Sequence, residues 1–127
     1  MNAIHSRNHA VQTEIFDGPL ELLLFLVRKE GMDIREISIA PLADAFLHQV
    51  KLMEELDLDV AADFLVMAAT LCWLKSKELL PSPALLELEE DDPELVREDL
   101  IRRLLEYERY KDAANDLENR TWLGRDT

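Results

Sequence analysis

The sequence has 127 residues, 48% of them hydrophobic and 32% charged, which suits one modest globular domain with an extension and excludes a large two-domain enzyme. Its 14 Lys and Arg against 27 Asp and Glu give a formal net charge of -13, so the chain is expected to repel nucleic-acid phosphates and anionic lipid headgroups. The single Cys excludes an intramolecular disulfide. Scarce Gly and few aromatic residues, with abundant Leu, Glu, Ala and Asp, predict an all-α protein.

The start of the chain is polar and lacks apolar periodicity, so we expect a disordered leader over residues 1–13 and no secretory signal. The longest apolar run, residues 64–74, is about half of the ~20 residues that a transmembrane helix needs. We interpret this run as part of a buried helix and expect a cytoplasmic protein.

Three helices are predicted between residues 14 and 80, joined by short turns in a helix-turn-helix-like domain. The first covers residues 19–29, between a Pro at its first position and Gly31, which is placed to close the helix in a left-handed conformation. Its apolar stripe is too wide for a single neighbour, which predicts contacts with two partners.

A capping-box spacing that begins at Asp33 predicts a short turn that buries Ile34 and Ile37. Ser38 is expected to cap the second helix, which ends at about residue 55.

The third helix, predicted over residues 60–80 and ended by Pro81, carries apolar side chains around nearly its whole circumference. Either the first two helices wrap it fully or one of its faces is left for a partner, and the sequence leaves both alternatives open. Trp73 beside Lys75 and Lys77 is typical of the tip of an interface.

Residues 81–92 are interpreted as an acidic, Pro-containing linker, which extended would span about 35 Å and hold the next helix away from the first domain. A fourth, amphipathic helix is predicted over residues 93–119, followed by a tail over residues 120–127. Its apolar seam consists of Val96, Leu100, Leu104, Tyr107, Tyr110, Ala114 and Leu117. This seam either folds back on the first domain or docks on another protein, and its two tyrosines favour docking.

Little in the sequence favours catalysis. His48 is a lone histidine on a predicted exposed helix face, and Cys72 lies among apolar residues, where a small buried hydrophobe is the ordinary interpretation. Asp57, Asp59 and Asp63 surround a helix start, where the helix dipole favours negative charge. The sequence contains neither a phosphate-binding glycine loop nor a nucleophile elbow. We therefore expect no catalytic residue, no metal site and no cofactor.

Several motifs follow one another at a recognisable spacing: FDGPLELLL at 16–24, ISIA at 37–40, FLVMAATL at 64–71, KSKELLP at 75–81 and YKDAA at 110–114. With these motifs the sequence resembles the segregation and condensation protein A family, the kleisin subunits of bacterial SMC condensins. Two departures are mild: Glu21 stands where the family commonly has Asp, and Glu78 where an apolar residue is common.

The resemblance implies a non-enzymatic bridging subunit in chromosome condensation and segregation, located in the cytoplasm and at the nucleoid, with the ATPase on the SMC subunit. It implies that the N-terminal domain binds the coiled-coil neck of an SMC subunit through Phe64, Met67, Ala68, Leu71, Trp73, Leu74 and Lys75. It also implies that the middle region binds a dimer of the companion protein B through Leu100, Leu104, Tyr107, Tyr110, Ala114 and Leu117. No small-molecule substrate, membrane or direct nucleic-acid contact is implied.

Members of the family continue into a C-terminal winged-helix domain, so the sequence is expected to be a truncation or a short form of the family's chain. The main alternative function is a helix-turn-helix DNA-binding regulator. Such a regulator needs a basic recognition helix, whereas the third helix carries Lys75 and Lys77 only at its end. A small hydrolase using His48 or Cys72 ranks last.

Overall fold

The computed structural model describes residues 16–56, 59–79 and 91–126, with side chains described as far as residue 120. These residues form four α-helices and one 3-10 turn, and they contain no strand. The elements are α1 Pro19–Lys29, the 3-10 turn Ile34–Glu36, α2 Ile39–Glu55, α3 Ala62–Glu78 and α4 Pro93–Asp126. The all-α prediction is confirmed. The predicted leader and most of the predicted linker lie outside the described residues, and both stay predictions.

Helix α1 has the predicted bounds because strong local signals define both of its ends. Pro19 occupies the first helical position, where its missing N–H costs nothing. At the other end Gly31 has a φ of 68°, the left-handed conformation that glycine adopts without strain. The N–H of Gly31 donates to the carbonyl of Arg28 at 3.1 Å, and that of Met32 to the carbonyl of Val27 at 2.9 Å. These two bonds form a Schellman motif.

The 3-10 turn places two isoleucines in the core, as predicted. The Asp33 side chain accepts a hydrogen bond from the N–H of Arg35 at 2.9 Å, and Ile34 and Ile37 are both buried. Ser38 occupies the N-cap position of α2, but its side chain makes no capping hydrogen bond, so that part of the prediction is wrong.

The two later helices differ in length from their predicted ranges. Helix α3 falls inside the predicted range 60–80, and α4 continues to Asp126 rather than ending at residue 119. An ion pair of 3.2 Å between Asp116 and Arg120 spans one turn of α4 at this point and supports the extension.

The helices enclose one apolar core. Phe46 of α2 and Phe64 of α3 stack with their ring centroids 6.5 Å apart. Helix α1 contacts α2, α3 and α4, so its wide apolar stripe has three partners rather than the two predicted. The largest fully buried side chains are Phe46, Leu22, Leu23, Ile39, Leu42, Leu71, Leu100, Leu104 and Val27.

Helix α4 folds back on the rest of the chain through its first half. Leu100 and Leu104 belong to the common core, and Arg97 donates a hydrogen bond to the carbonyl of Ile37 at 3.0 Å. The expectation that this helix is held away from the first domain is therefore wrong. An apolar seam at steps of three and four is the same pattern whether its partner belongs to the same chain or to another, and here the first half of the seam is covered within the chain.

Candidate protein-binding surfaces

Most side chains of α3 that the sequence assigns to a partner are buried in the core of the chain itself. The buried ones are Phe64, Met67, Ala68, Leu71 and Leu74. Trp73 and Lys75 are partly exposed, and the ammonium of Lys75 donates to a carboxylate oxygen of Asp44 on α2 at 2.7 Å. Since core packing occupies the buried five, Trp73 and Lys75 are the only members of the predicted set that solvent reaches.

A second face of α3, of which the sequence prediction assigned only Trp73 to a partner, is apolar and largely exposed. Leu65 is 48% exposed and Val66 65%, and Ala69 and Trp73 continue the same side of the helix. We call these four residues the outward face. The Lys77 ammonium lies 5.5 Å from the centroid of the Trp73 ring, a cation–π contact at the end of this face. The signal in the sequence is the position of Ala69 and Trp73, four and eight residues after Leu65 and three and seven after Val66. This helical spacing identifies the face once the buried face is known.

A groove runs between α3 and α4, and the start of α1 closes one of its ends. The deeper end is a cleft of about 320 Å³, and the shallower end is a separate open hollow. Thr70 contributes to the lining of both. The apolar lining of this α3–α4 groove comes from Leu20, Val66, Met67, Ala69, Trp73 and Val96.

The residues of α4 that were predicted to bind a partner fall into two groups by their exposure to solvent. Leu100 and Leu104 are 2% and 0% exposed and belong to the core. Tyr110 and Leu117 are 67% and 66% exposed, and Ala114 between them is exposed as well. These three side chains follow one another at steps of four and three and form an apolar strip, which we call the α4 strip.

Polar contacts between α1 and α4 surround the half-buried side chain of Tyr107. Its hydroxyl donates to a carboxylate oxygen of Glu21 at 2.8 Å, and the Lys111 ammonium lies 3.3 Å from the same oxygen. Two turns after Glu21 on α1, Arg28 pairs with Glu108, the residue that follows Tyr107 on α4, at 3.3 Å. Burial of the Tyr107 phenol, followed by its hydrogen bond to the Glu21 carboxylate, raises the pKa of Tyr107 well above its ordinary value.

Replacing Tyr107 with Phe is expected to lower the free energy of unfolding by about 1 kcal/mol at neutral pH, because the hydrogen bond to Glu21 is lost. The pKa of Tyr107 is higher in the folded than in the unfolded state, so the neutral phenol contributes its full stabilisation below the unfolded-state pKa of about 10. That contribution is lost as the pH rises further and the phenol ionises. The difference between wild type and Tyr107→Phe in urea unfolding should therefore shrink above about pH 10. The exposed Tyr110→Phe is the control, and a difference that stays constant into alkaline pH would contradict the assignment.

Features that would support catalysis are sparse in the described part of the chain. Residues 16–56, 59–79 and 91–126 contain no group of three or more His, Cys, Asp or Glu side chains arranged to hold a metal ion. His48 is exposed on α2. Cys72 is exposed as well, so its predicted burial is wrong: it lies three residues after Ala69, on the solvent side of α3. None of the described helices has the length and apolarity needed to cross a membrane.

Two helices of the bundle, α3 and α4, carry apolar strips that are exposed to solvent. Apolar strips that remain on the surface of a well-packed helical protein are typical of modules that bind other proteins, because water disfavours them. The described chain is therefore an all-α bundle that leaves apolar strips on α3 and α4 open to solvent.

Comparison with known proteins identifies the family. The model of the family described as segregation and condensation protein ScpA matches residues 26–123. The chain is 49% identical over 114 residues to segregation and condensation protein A of Coxiella burnetii, covering 90% of this chain and 42% of that protein. Its counterpart from Bacillus subtilis is 46% identical over 117 residues, covering 88% and 45%, and that from Myxococcus xanthus is 41% identical over 127 residues, covering 94% and 44%. The chain belongs to the segregation and condensation protein A family, and it spans less than half the length of these relatives.

Proposed function

We propose that this chain acts as a kleisin-type bridging subunit, which serves chromosome condensation and segregation by holding an SMC subunit and the companion protein B. The observation that carries the proposal is the outward face of α3. Leu65 and Val66 of this face are 48% and 65% exposed, and Ala69 is exposed as well. Membership of the family, whose members are named for segregation and condensation, supports the same role.

For the SMC neck, the outward face is the surface of α3 best suited to receive a coiled coil. Leu65, Val66, Ala69 and Trp73 present a stripe at helical spacing, and the helices of a neck can pack against such a stripe in the manner of a helical bundle. The buried residues of α3 then position the stripe without touching the partner. Lys75, paired with Asp44 of α2, lies on the side of α3 that faces α2.

For protein B, the α4 strip is the part of the predicted seam that remains accessible. Tyr110 and Leu117 are large and exposed, and tyrosine is one of the residues most often found at the energetic centre of interfaces. Leu100 and Leu104 keep α4 docked on α1 while the strip projects from it.

The proposed role requires binding and no chemistry, and the charge distribution agrees with protein partners rather than DNA. The outward face of α3 is apolar, whereas a recognition helix that enters the major groove presents basic and polar side chains. A net charge of -13 opposes contact with phosphates. We therefore propose that any association with the nucleoid runs through the SMC subunit.

Isothermal titration of this chain with an SMC head-plus-neck fragment from the same bacterium, without DNA or ATP, tests the first half of the proposal. A saturable one-to-one complex is expected. A folded chain that shows no binding would contradict the proposed SMC contact.

The double variant Tyr110→Ala with Leu117→Ala is expected to weaken protein B binding by about 100-fold, because two exposed apolar contacts of about 1–2 kcal/mol each are lost. Its thermal stability and its SMC binding should remain those of wild type. Leu95→Ala, which removes an equally exposed leucine at the start of the same helix, is the matched control. Undiminished binding of protein B by the double variant would remove the α4 strip from the interface.

A further inference from the structure

Helix α4 extends beyond the bundle that its first half joins. Leu100 and Leu104 are buried in the common core, whereas every side chain over residues 112–120 is exposed. The helix itself continues to Asp126, so its last 15 residues form an arm about 22 Å long. The α4 strip begins where this arm leaves the bundle, and a second helix can therefore lie along it without displacing the core.

Charged residues flank the α4 strip in a self-complementary order. Glu106 and Arg120 lie on one side of the strip, and Lys111 and Glu118 lie on the other. On each side, the residue before Ala114 and the residue after it carry opposite charges. A second copy of the helix that runs in the opposite direction therefore presents the complementary charge on both sides of the strip.

We propose that the α4 strips of two copies of this chain pair as an antiparallel coiled coil, with a two-fold axis near Ala114. An axis there places Tyr110, four positions before it, beside Leu117 of the other copy, three positions after it. The symmetry makes this contact twice. The small side chain of Ala114 lets the two helices approach closely at the axis. The inference goes beyond the proposed function, because the partner is this chain itself.

The same register brings the flanking charges together. Glu106, eight positions before the axis, meets Arg120 of the other copy, six positions after it. Lys111, three positions before the axis, meets Glu118, four positions after it, and is also held by Glu21 of its own chain at 3.3 Å. With the two-fold symmetry this gives four ion pairs between the copies.

The present partners of these charges do not prevent the exchange. Glu106 pairs with Arg102 at 2.9 Å and Arg120 with Asp116 at 3.2 Å, each within one turn of the same helix. All four side chains are more than half exposed, and exposed pairs of this kind contribute at most about 1 kcal/mol each. Glu106 and Arg120 can therefore turn toward a second copy at little cost.

The antiparallel direction also keeps the two bundles apart. It places Leu100 of one copy and Leu100 of the other about 42 Å apart along the helix axis. A parallel pair would set the bundles side by side, although each chain carries a net charge of -13. Since the screening length is about 10 Å at 0.1 M salt, the separation removes most of that repulsion.

The pairing is expected to be weak. Residues 106–120 form about four helical turns, and such a contact falls below the roughly 1,200 Å² that stable interfaces bury. We expect a dissociation constant on the order of 0.1 mM. The strip cannot hold a second copy and protein B together, so under the proposed function protein B displaces the second copy.

Sedimentation equilibrium of the whole chain, from about 10 μM to about 1 mM, tests the pairing. The average mass is expected to rise from that of one chain toward that of two. Tyr110→Ala with Leu117→Ala should keep the mass of one chain throughout. Leu95→Ala, which removes an exposed leucine at the start of the same helix, should associate as wild type does. A wild-type chain that keeps the mass of one chain at about 1 mM would overturn the inference.

The direction and register are tested by charge reversal. Glu106→Lys alone and Arg120→Glu alone each place like charges opposite one another twice, which should weaken pairing by about tenfold. An equimolar mixture of the two variants pairs opposite charges again and should associate as wild type does. Glu54→Lys and Arg35→Glu, which reverse exposed charges outside α4, are the controls and should pair equally well alone or mixed. A mixture that pairs no better than the separate α4 variants would overturn the antiparallel register.

Addition of the protein B dimer separates this inference from the proposed function. If protein B binds a chain that never pairs with itself, the inference fails and the proposed function stands. If two copies stay paired at saturating protein B, the strip does not bind protein B, and that part of the proposed function fails while the pairing stands.

Discussion

Replacing Leu104 with Ala is expected to lower the free energy of unfolding by about 2–5 kcal/mol, because the side chain is fully buried where α4 meets the core. The loss combines the transfer free energy of the removed carbons with the cavity left behind. For a domain of this size the midpoint of thermal unfolding should fall by roughly 10 °C or more. Far-UV circular dichroism during heating and urea unfolding measures both quantities.

Leu117→Ala is the matched control, since it removes the same atoms from the same helix at a position that is 66% exposed. Its effect should stay within about 0.5 kcal/mol. If Leu104→Ala were as mild as Leu117→Ala, helix α4 would not be docked on α1 in solution, and the division of its seam into a buried half and an exposed half would be wrong.

Replacing Val66 with Glu is expected to weaken binding of the SMC head-plus-neck fragment by at least about 100-fold, because an unpaired carboxylate would have to be desolvated in the interface at a cost of about 3 kcal/mol or more. Val66 is 65% exposed in the free chain, so the variant should fold with nearly wild-type stability. Isothermal titration reports the binding, and thermal unfolding reports the fold.

Leu74→Glu makes the same substitution two turns later on the buried side of α3, where the wild-type side chain is 2% exposed. A buried, unpaired carboxylate costs about 3–5 kcal/mol, much of the stability of a small domain, so this variant should be largely unfolded. A folded Leu74→Glu that loses SMC binding, beside a Val66→Glu that keeps it, would show that the partner contacts the face we assign to the core.

The elements whose signals are local could be predicted from the sequence. The ends of α1 follow from Pro19 and Gly31, and the turn that buries Ile34 and Ile37 follows from the side chain of Asp33. Proline and left-handed glycine restrict the backbone at their own positions, so their consequences do not depend on the rest of the chain.

The choice of face on α3 could not be predicted in the same way. Its apolar residues surround the helix, and only the positions of α1, α2 and α4 decide that Met67 is buried and Val66 exposed. Cys72 was misassigned for the same reason. An apolar neighbourhood along the sequence does not place a residue in the core when the helix has two apolar sides.

Contacts between residues that are far apart in the sequence could not be predicted either. Glu21 and Tyr107 are 86 positions apart, and nothing in either segment identifies the other as its hydrogen-bond partner. The spacing of the α4 seam predicts that it packs against an apolar surface. It does not show whether that surface is α1 of the same chain or a second protein. Exposure of Tyr110 and Leu117, seen only in the folded chain, separates the accessible part of the seam from its buried part.

The bridging role is tested most directly by size-exclusion chromatography with light scattering of this chain mixed with the SMC head-plus-neck fragment and the protein B dimer, without DNA or ATP. A single complex that contains all three, with a mass equal to their sum, is the predicted result. A folded chain that elutes alone, or that binds the two partners only in separate complexes, would contradict the bridging role.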